Sequence, residues 1–294
     1  MAEASLHPGR RSLSVKDEMR AEEMARVHDS KLAGVAISGA DGATLSAWSI
    51  QPRNSNGTAV ILLHGLGDNR LGMIGYAELL LNHEFSLLMP DARAHGNSGG
   101  QLTTYGLLES EDIHRWFQWL QQKQHPACIF AFAESMGAAH LLESLKTESN
   151  FCAVSVESPF SSFREIAYDR VGQFFHTGPW LGRSIMRPVV EVAFAYARSK
   201  YKLNFEEASP EKVVAVTKVP VLLIHGQNDS NIPIRHSRRI GMRNRNVSLW
   251  EVPNADHCGA VSAAPGLLEQ RVVGWFASHA HVRALSGGTG IWLP

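Results

Sequence analysis

The chain predicts an α/β fold built on a mostly parallel sheet. Two features point to it. Short, unbroken apolar runs recur from Ala59 onward, and amphipathic stretches of helical period separate them. Parallel strands are covered on both faces and so read as continuous apolar runs. Their alternation with helices implies right-handed crossovers.

The elements follow in order. Residues 14–28 predict a helix, with Ser14 as N-cap, Asp17 at the reciprocal position of a capping box and Leu13 just before. Eight strand runs come next: 34–38, 44–50, 59–63, 85–89, 128–132, 152–156, 219–224 and 247–252. The first two are joined by Gly39-Ala40-Asp41-Gly42, a hairpin signal. Helices are expected over 71–83 and over 107–122, where Leu108, Ile113, Trp116, Phe117 and Leu120 share a face. The alternation breaks between 157 and 219. Phe163, Ile166, Ala167, Arg170, Val171, Phe174 and Phe175 recur at helical spacing, and a second helical stretch over 183–202 contains Pro188, which starts a helix or kinks one. A long insertion between two strands reads as a lid. The resulting division is an N-terminal helical extension (1–33), a core in two parts (34–159 and 217–285), a helical lid (160–216) and a tail (286–294).

Composition excludes several classes. Of the 294 residues 44 % are apolar, and 28 basic side chains balance 28 acidic ones. Zero net charge argues against nucleic acid as the partner, since phosphate binding needs a basic surplus. No apolar run reaches the ~18 residues of a membrane span. The first thirty residues contain no secretory apolar core. The chain has three cysteines, an odd number, which does not suggest a disulfide framework. Cys128 and Cys152 lie in apolar runs and read as buried free thiols, which favours a reducing, cytoplasmic location.

Catalysis enters at Ala133-Glu134-Ser135-Met136-Gly137. The apolar run 127–132 precedes it and the small-residue helix Ala138-Ala139-His140-Leu141-Leu142 follows. A serine at the apex of a strand–turn–helix is a nucleophile elbow. The turn lifts the hydroxyl clear of the backbone and aims the Met136 N–H at the oxygen of an attacked carbonyl. Gly137 lets the helix press on the strand. Alanine at 133, in place of the usual glycine, is the mildest departure from the G-x-S-x-G pattern.

Further motifs stand in order along the chain: Asp41-Gly42-Ala43-Thr44-Leu45 with Trp48, His64-Gly65-Leu66-Gly67, Asp91-Ala92-Arg93-Ala94-His95-Gly96-Asn97-Ser98, and Thr104-Tyr105-Gly106 with Glu109 and Asp112. His225-Gly226-Gln227-Asn228-Asp229 and Asn254-Ala255-Asp256-His257 follow the elbow. Over roughly 34–280 the chain resembles the α/β-hydrolase family, in particular bacterial esterase-like members. The resemblance implies an eight-stranded, mostly parallel sheet flanked by helices. It also implies a triad in the order Ser135, Asp229, His257 and an oxyanion hole from the backbone of Leu66 and Met136. Asp256 is the competing acid. Asp91, Arg93 and His95 read as a hydrogen-bonded loop, His225 as structural and Cys258 as a packed thiol. Glu134 is assigned no chemistry.

The expected reaction is hydrolysis of a carboxylic ester with an apolar acyl or alcohol part. Phe160, Phe163, Phe174 and Trp180 of the aromatic insertion are the expected pocket. The alternatives are a serine peptidase, a thioesterase, or a non-catalytic binding protein on this fold. No metal spacing such as H-E-x-x-H and no nucleotide-binding glycine motif is present, so neither metal nor cofactor is expected. Oligomeric state is not indicated.

Overall fold

The computed structural model describes residues 6–280; the expected tail 286–294 lies outside them. Eight strands form one sheet: β1 (Ser30–Ser38), β2 (Thr44–Pro52), β3 (Thr58–Leu63), β4 (Ser86–Pro90), β5 (Cys128–Glu134), β6 (Val154–Glu157), β7 (Val221–Gly226) and β8 (Val247–Val252). Their spatial order is β1-β2-β4-β3-β5-β6-β7-β8. β2 runs antiparallel to β1 and β4, and the remaining pairs are parallel. The 1–33 extension was expected to end before the first strand, but β1 begins at Ser30. Its pairing continues through Ser30↔Pro52, so residues 30–33 belong to the sheet. Ser30 and Lys31 add no apolar signal, and Leu32-Ala33 is too short beside them to mark a strand, so pairing with β2 sets this start.

Helices cover both faces. On one lie α1 (Val15–Val27), α2 (Ile74–Leu81) and α11 (Pro265–Ala280). They bury Met24, Leu80 and Phe276 against Ile50, Val60 and Phe130. Ser14 and Asp17 form the capping box of α1 reciprocally. On the other face lie α3 (Glu109–Gln124), α4 (Ser135–Ser144), α8 (Pro210–Val214) and α9 (Arg235–Gly241). There Trp116, Leu141 and Ile240 pack on Ile61, Ala131 and Leu223. A further short helix, α10 (Ala260–Ala263), precedes α11.

Between β6 and β8's partner β7 the chain is helical: α5 (Phe163–Phe174), α6 (Trp180–Arg183) and α7 (Arg187–Tyr201) precede α8. Pro188 sits in the first turn of α7, where its missing N–H has no intrahelical acceptor to lose. These helices gather a third apolar cluster at the C-terminal ends of the parallel strands, where Phe160, Ile166, Phe194 and Phe205 meet Tyr105 and Met136.

The free-thiol reading of two cysteines is corrected. Cys128 and Cys152 form a disulfide, with Cα atoms 5.9 Å apart. They stand 24 residues apart in sequence, but β5 and β6 are parallel neighbours, and Ala131 pairs with Val154. That lateral adjacency brings the two sulfurs together. With it the ground for a reducing compartment falls away. Cys258 is a free thiol. Among the described residues no helix is long and apolar enough to cross a membrane.

Candidate active site

The site lies where β5, β7 and β8 end. In open α/β sheets ligands bind outside these carboxyl ends. β5 runs directly into α4 through Ser135, whose φ is 51°. A non-glycine residue in this left-handed region costs of order 1–3 kcal/mol and persists only when its surroundings impose it. Gly137 supplies part of that imposition. A Cβ there would stand 2.5 Å from the His64 carbonyl oxygen and 2.8 Å from that of Leu63, so only glycine lets α4 start against the end of β3.

Three side chains converge. The Ser135 hydroxyl lies 2.8 Å from His257 Nε2. His257 Nδ1 lies 2.9 Å from Asp229 Oδ2. A carboxylate only accepts, so Nδ1 carries the proton and Nε2 is left as the acceptor for the serine O–H. Asp229 is itself held in place. Its Oδ1 accepts from the N–H groups of Asn231 (3.0 Å) and Ile232 (2.7 Å), and its Oδ2 lies 3.2 Å from His225 Nε2. Burial raises the Asp229 pKa, but hydrogen bonds from His225 and His257 outweigh it and hold the carboxyl well below its ordinary range. Asp256 instead caps its own loop: its Oδ1 accepts from the backbone N–H of His257 (2.8 Å) and of Ser230 (3.0 Å). His225 is an internal brace. Nε2 donates to the Ile232 carbonyl and Nδ1 faces the Ser237 hydroxyl, both at 2.7 Å.

The segment after β3 passes beside the serine. A Cβ on Gly65 would lie 3.4 Å from Ser135 Cβ and 3.9 Å from its Oγ. His64 Nδ1 donates to the Gly65 carbonyl (2.8 Å), and Nε2 accepts from the Ala92 N–H (3.0 Å). Burial, aided by the neighbouring His95, pushes the His64 pKa down to about 4, so this ring is a neutral fastening. Leu66 follows, half exposed above the site. Met136 is the second residue of α4, so its N–H is one of the unsatisfied donors of a helix start.

The loop Asp91–Ser98 is a hydrogen-bonded scaffold. Asp91 binds the backbone and guanidinium of Arg70 and the N–H of Asn97, and Arg93 makes a two-pronged pair with Asp112. Farther along, the buried Glu109 carboxylate gathers the N–H groups of Thr104 (2.7 Å) and Gly106 (2.8 Å). This turns Tyr105, at φ 54°, beneath the insertion, 4.1 Å from Phe163 between ring centroids.

A cavity of about 770 Å³ opens above Ser135 and His257. Phe160, Phe163 and Phe174 line it; Trp180 does not. The Trp180 ring stands on the outside of the insertion, 57 % exposed, because α6 turns Gly182 rather than the indole against α5. Several lining residues escaped the sequence reading: Leu6, Tyr105, Glu134, Arg170, Val190, Phe194 and Phe205. The helical period of α7 signals Val190 and Phe194, whereas nothing in the local pattern signals Leu6. Glu134 accepts from the backbone of Gly65, and burial next to Glu157 and Asp68 pushes its carboxyl up to about 8. Burial likewise pushes the Cys258 thiol up, beside Glu134. Among the described residues no three His, Cys, Asp or Glu side chains form a metal-binding group.

Residues 60–270 match the profile of the Alpha/beta hydrolase family. The chain belongs to that family. Bacillus subtilis YqkD, described as an uncharacterized protein, is 28 % identical over 225 residues, covering 75 % of this chain and 71 % of that one. Human Protein ABHD12B is 22 % identical over 189 residues, covering 62 % and 48 %. Among solved structures, the Pyrococcus furiosus esterase Pf2001 superposes with a TM-score of 0.72 at 24 % identity, covering 93 % of this chain and all of that one. The Rhodococcus esterase RhEst1 gives 0.59 at 14 % identity over 84 % and 99 %. At these identities the structural likeness speaks to the shared α/β-hydrolase fold.

Proposed function

We propose that this α/β-hydrolase family member is a serine hydrolase that cleaves carboxylic esters with a sizeable apolar part. The observation that carries the proposal is the relay from Asp229 through His257 to Ser135 at the floor of a mainly apolar cavity. As Ser135 Oγ attacks the ester carbonyl, His257 Nε2 takes its proton. Asp229 holds the tautomer and steadies the imidazolium. The oxyanion is met by the backbone N–H groups of Leu66 and Met136, each such donor being typically worth ~3–4 kcal/mol in the transition state. Collapse of the tetrahedral intermediate breaks the bond to the alcohol oxygen, and His257 returns the proton to the departing alcohol. Water, deprotonated by His257, then attacks the acyl-enzyme and releases the acid.

The segment 160–216 acts in this reading as a lid over the core parts 34–159 and 217–285. Its Phe160, Phe163 and Phe174 supply the apolar wall, and Trp180 takes no part. The cavity contents favour an ester over a peptide, because apolar side chains predominate in its lining. The test is labelling by a fluorophosphonate, followed by turnover of p-nitrophenyl esters, the corresponding thioesters and peptide amides. Labelling that disappears in Ser135→Ala, with esters preferred, supports the proposal. Turnover of amides alone moves the reading to a peptidase, and preference for thioesters moves it to a thioesterase. A folded wild type that neither labels nor turns over any of them overturns catalysis.

A further inference from the structure

We propose that Leu6, carried to the site by the segment 6–14, bounds one end of the cavity and so sets the longest apolar chain it accepts. This deepens the ester-hydrolase reading and rests on it. Leu6 lines the same cavity as Ser135 and His257 and is 2 % exposed. It packs in the apolar cluster that joins Tyr105 and Met136 of the core to Phe160, Ile166, Val190 and Phe194 of the insertion. Its neighbours make this notable. Between Leu6 and Leu13 the segment offers no other large apolar side chain, and Leu13 packs against a different apolar cluster, so Leu6 is the large apolar group that the segment brings to the cavity.

The segment is tied down along its length. The Thr103 N–H donates to the Leu6 carbonyl at 3.0 Å. His7 Nδ1 donates to the Gln101 carbonyl (3.1 Å), and its Nε2 faces the Tyr201 hydroxyl of α7 (3.2 Å). Arg10 donates to the carbonyls of Ser98 (2.6 Å) and Gly100 (3.1 Å). Arg11 pairs with Asp68 at 2.7 Å, and Asn69 donates to the Arg11 carbonyl at 3.0 Å. Asp68 is itself a cavity residue. The strap therefore bridges three parts of the rim: the loop after Leu66, the loop 98–103 and helix α7. A side chain held at a cavity wall by its own backbone limits length sterically, whereas one that merely fills core would leave selectivity alone.

The experiment compares wild type, Leu6→Ala, Leu6→Trp and Arg10→Ala/Arg11→Ala, each checked for folding by circular dichroism. kcat/KM is measured on p-nitrophenyl esters from C2 to C16, and in parallel the Kd of saturated fatty-acid carboxylates over the same lengths. Leu6→Ala should raise the C12-to-C4 ratio of kcat/KM about tenfold, and Leu6→Trp should lower it by a similar factor. The double arginine variant should move the ratio in the direction of Leu6→Ala. Ratios within twofold of wild type in all three, with the esters still cleaved, overturn the role of Leu6 and leave the hydrolase reading standing. Should wild type cleave no ester, the ester-hydrolase reading falls by itself. The fatty-acid series then decides: a length limit that moves with residue 6 upholds the boundary, and an unmoved limit removes it.

Discussion

The floor and the roof of the cavity are built on different physical principles. On the floor, each key group is fixed by several directional bonds from the ends of parallel strands. Asp229 alone accepts from Asn231, Ile232, His225 and His257. The face of the roof that meets the cavity is filled mainly by rings. Phe163 sits 4.1 Å from Tyr105, 5.3 Å from Phe205 and 5.7 Å from Phe194 between centroids. Polar ties to the core lie along one side of the roof: Arg170 and Gln173 donate to the loop Ser230–Asn231, and Asp169 and Glu165 of α5 pair with His236, Arg235 and Arg239 of α9. Hydrogen bonds specify angles and distances, and proton transfer needs both. Apolar packing specifies volume, which is what substrate choice needs. The difference predicts that floor variants lose rate on every substrate, while roof variants redistribute rate among substrates.

The largest effect tests the floor. Asp229→Asn should lower kcat by roughly 10³–10⁴ on short and long esters alike, by leaving His257 in the wrong tautomer. Asp256→Asn should stay within a few-fold of wild type. Equal losses in the two variants, measured by steady-state kinetics, would break the assignment of the acid. Gly137→Val comes next. Its Cβ would meet the His64 carbonyl at 2.5 Å, and this overpacking should destabilise the fold by about 3 kcal/mol. Denaturant titration checks it, and a loss under 1 kcal/mol would show that α4 can step back from β3.

Beneath the floor, the disulfide should stabilise the sheet. Cys128→Ser with Cys152→Ser should lower stability by about 2–4 kcal/mol, read as a fall in Tm that a reductant reproduces in wild type. Matched Tm values with and without reductant would count against the bond. On the roof, Phe163→Ala should change the C12-to-C4 ester ratio several-fold, whereas Trp180→Ala, outside the cavity, should leave it unchanged. A reversed pattern would erase the contrast between lining and outer aromatic residues.

The smallest effect concerns Glu134, where floor and cavity meet. Its carboxyl is pushed from the ordinary 4.5 up to about 8. Between those values the unfolded chain has released a proton that the folded chain retains, so stability falls as pH rises through this window. Glu134→Gln removes the penalty. Its Tm should match wild type below about pH 4.5, exceed it by a few degrees near pH 8 and gain nothing more above. A constant difference across the range would mean that Glu134 ionises normally.

Legibility along the chain follows the reach of each interaction. The capping box at Ser14 and Asp17, the eight strand runs and the helix start at Pro188 are written within a few residues, and the structure forms them there. Ser135 was legible because an elbow needs a strand, a turn and a small residue in immediate succession. Trp180 was misplaced because aromatic content cannot say which side of a four-residue helix meets solvent. β1 begins at Ser30 because cross-strand pairing with β2 continues over Ser30–Ala33, and the polar Ser30 and Lys31 interrupt any apolar run there.

By itself, the sequence determined the α/β alternation, the turn that presents Ser135 and the order of serine, acid and histidine. Local periodicity and turn chemistry suffice for the first two, and the order of the three residues is what the resemblance to the α/β-hydrolase family implies. Only the tertiary structure decided that Cys128 meets Cys152, that Leu6 reaches the cavity beside Ser135, and that Asp229 rather than Asp256 touches His257. Each of these depends on segments distant in the chain becoming lateral neighbours. That adjacency is set by the packing of the whole sheet and its helices, and no short stretch of residues encodes it.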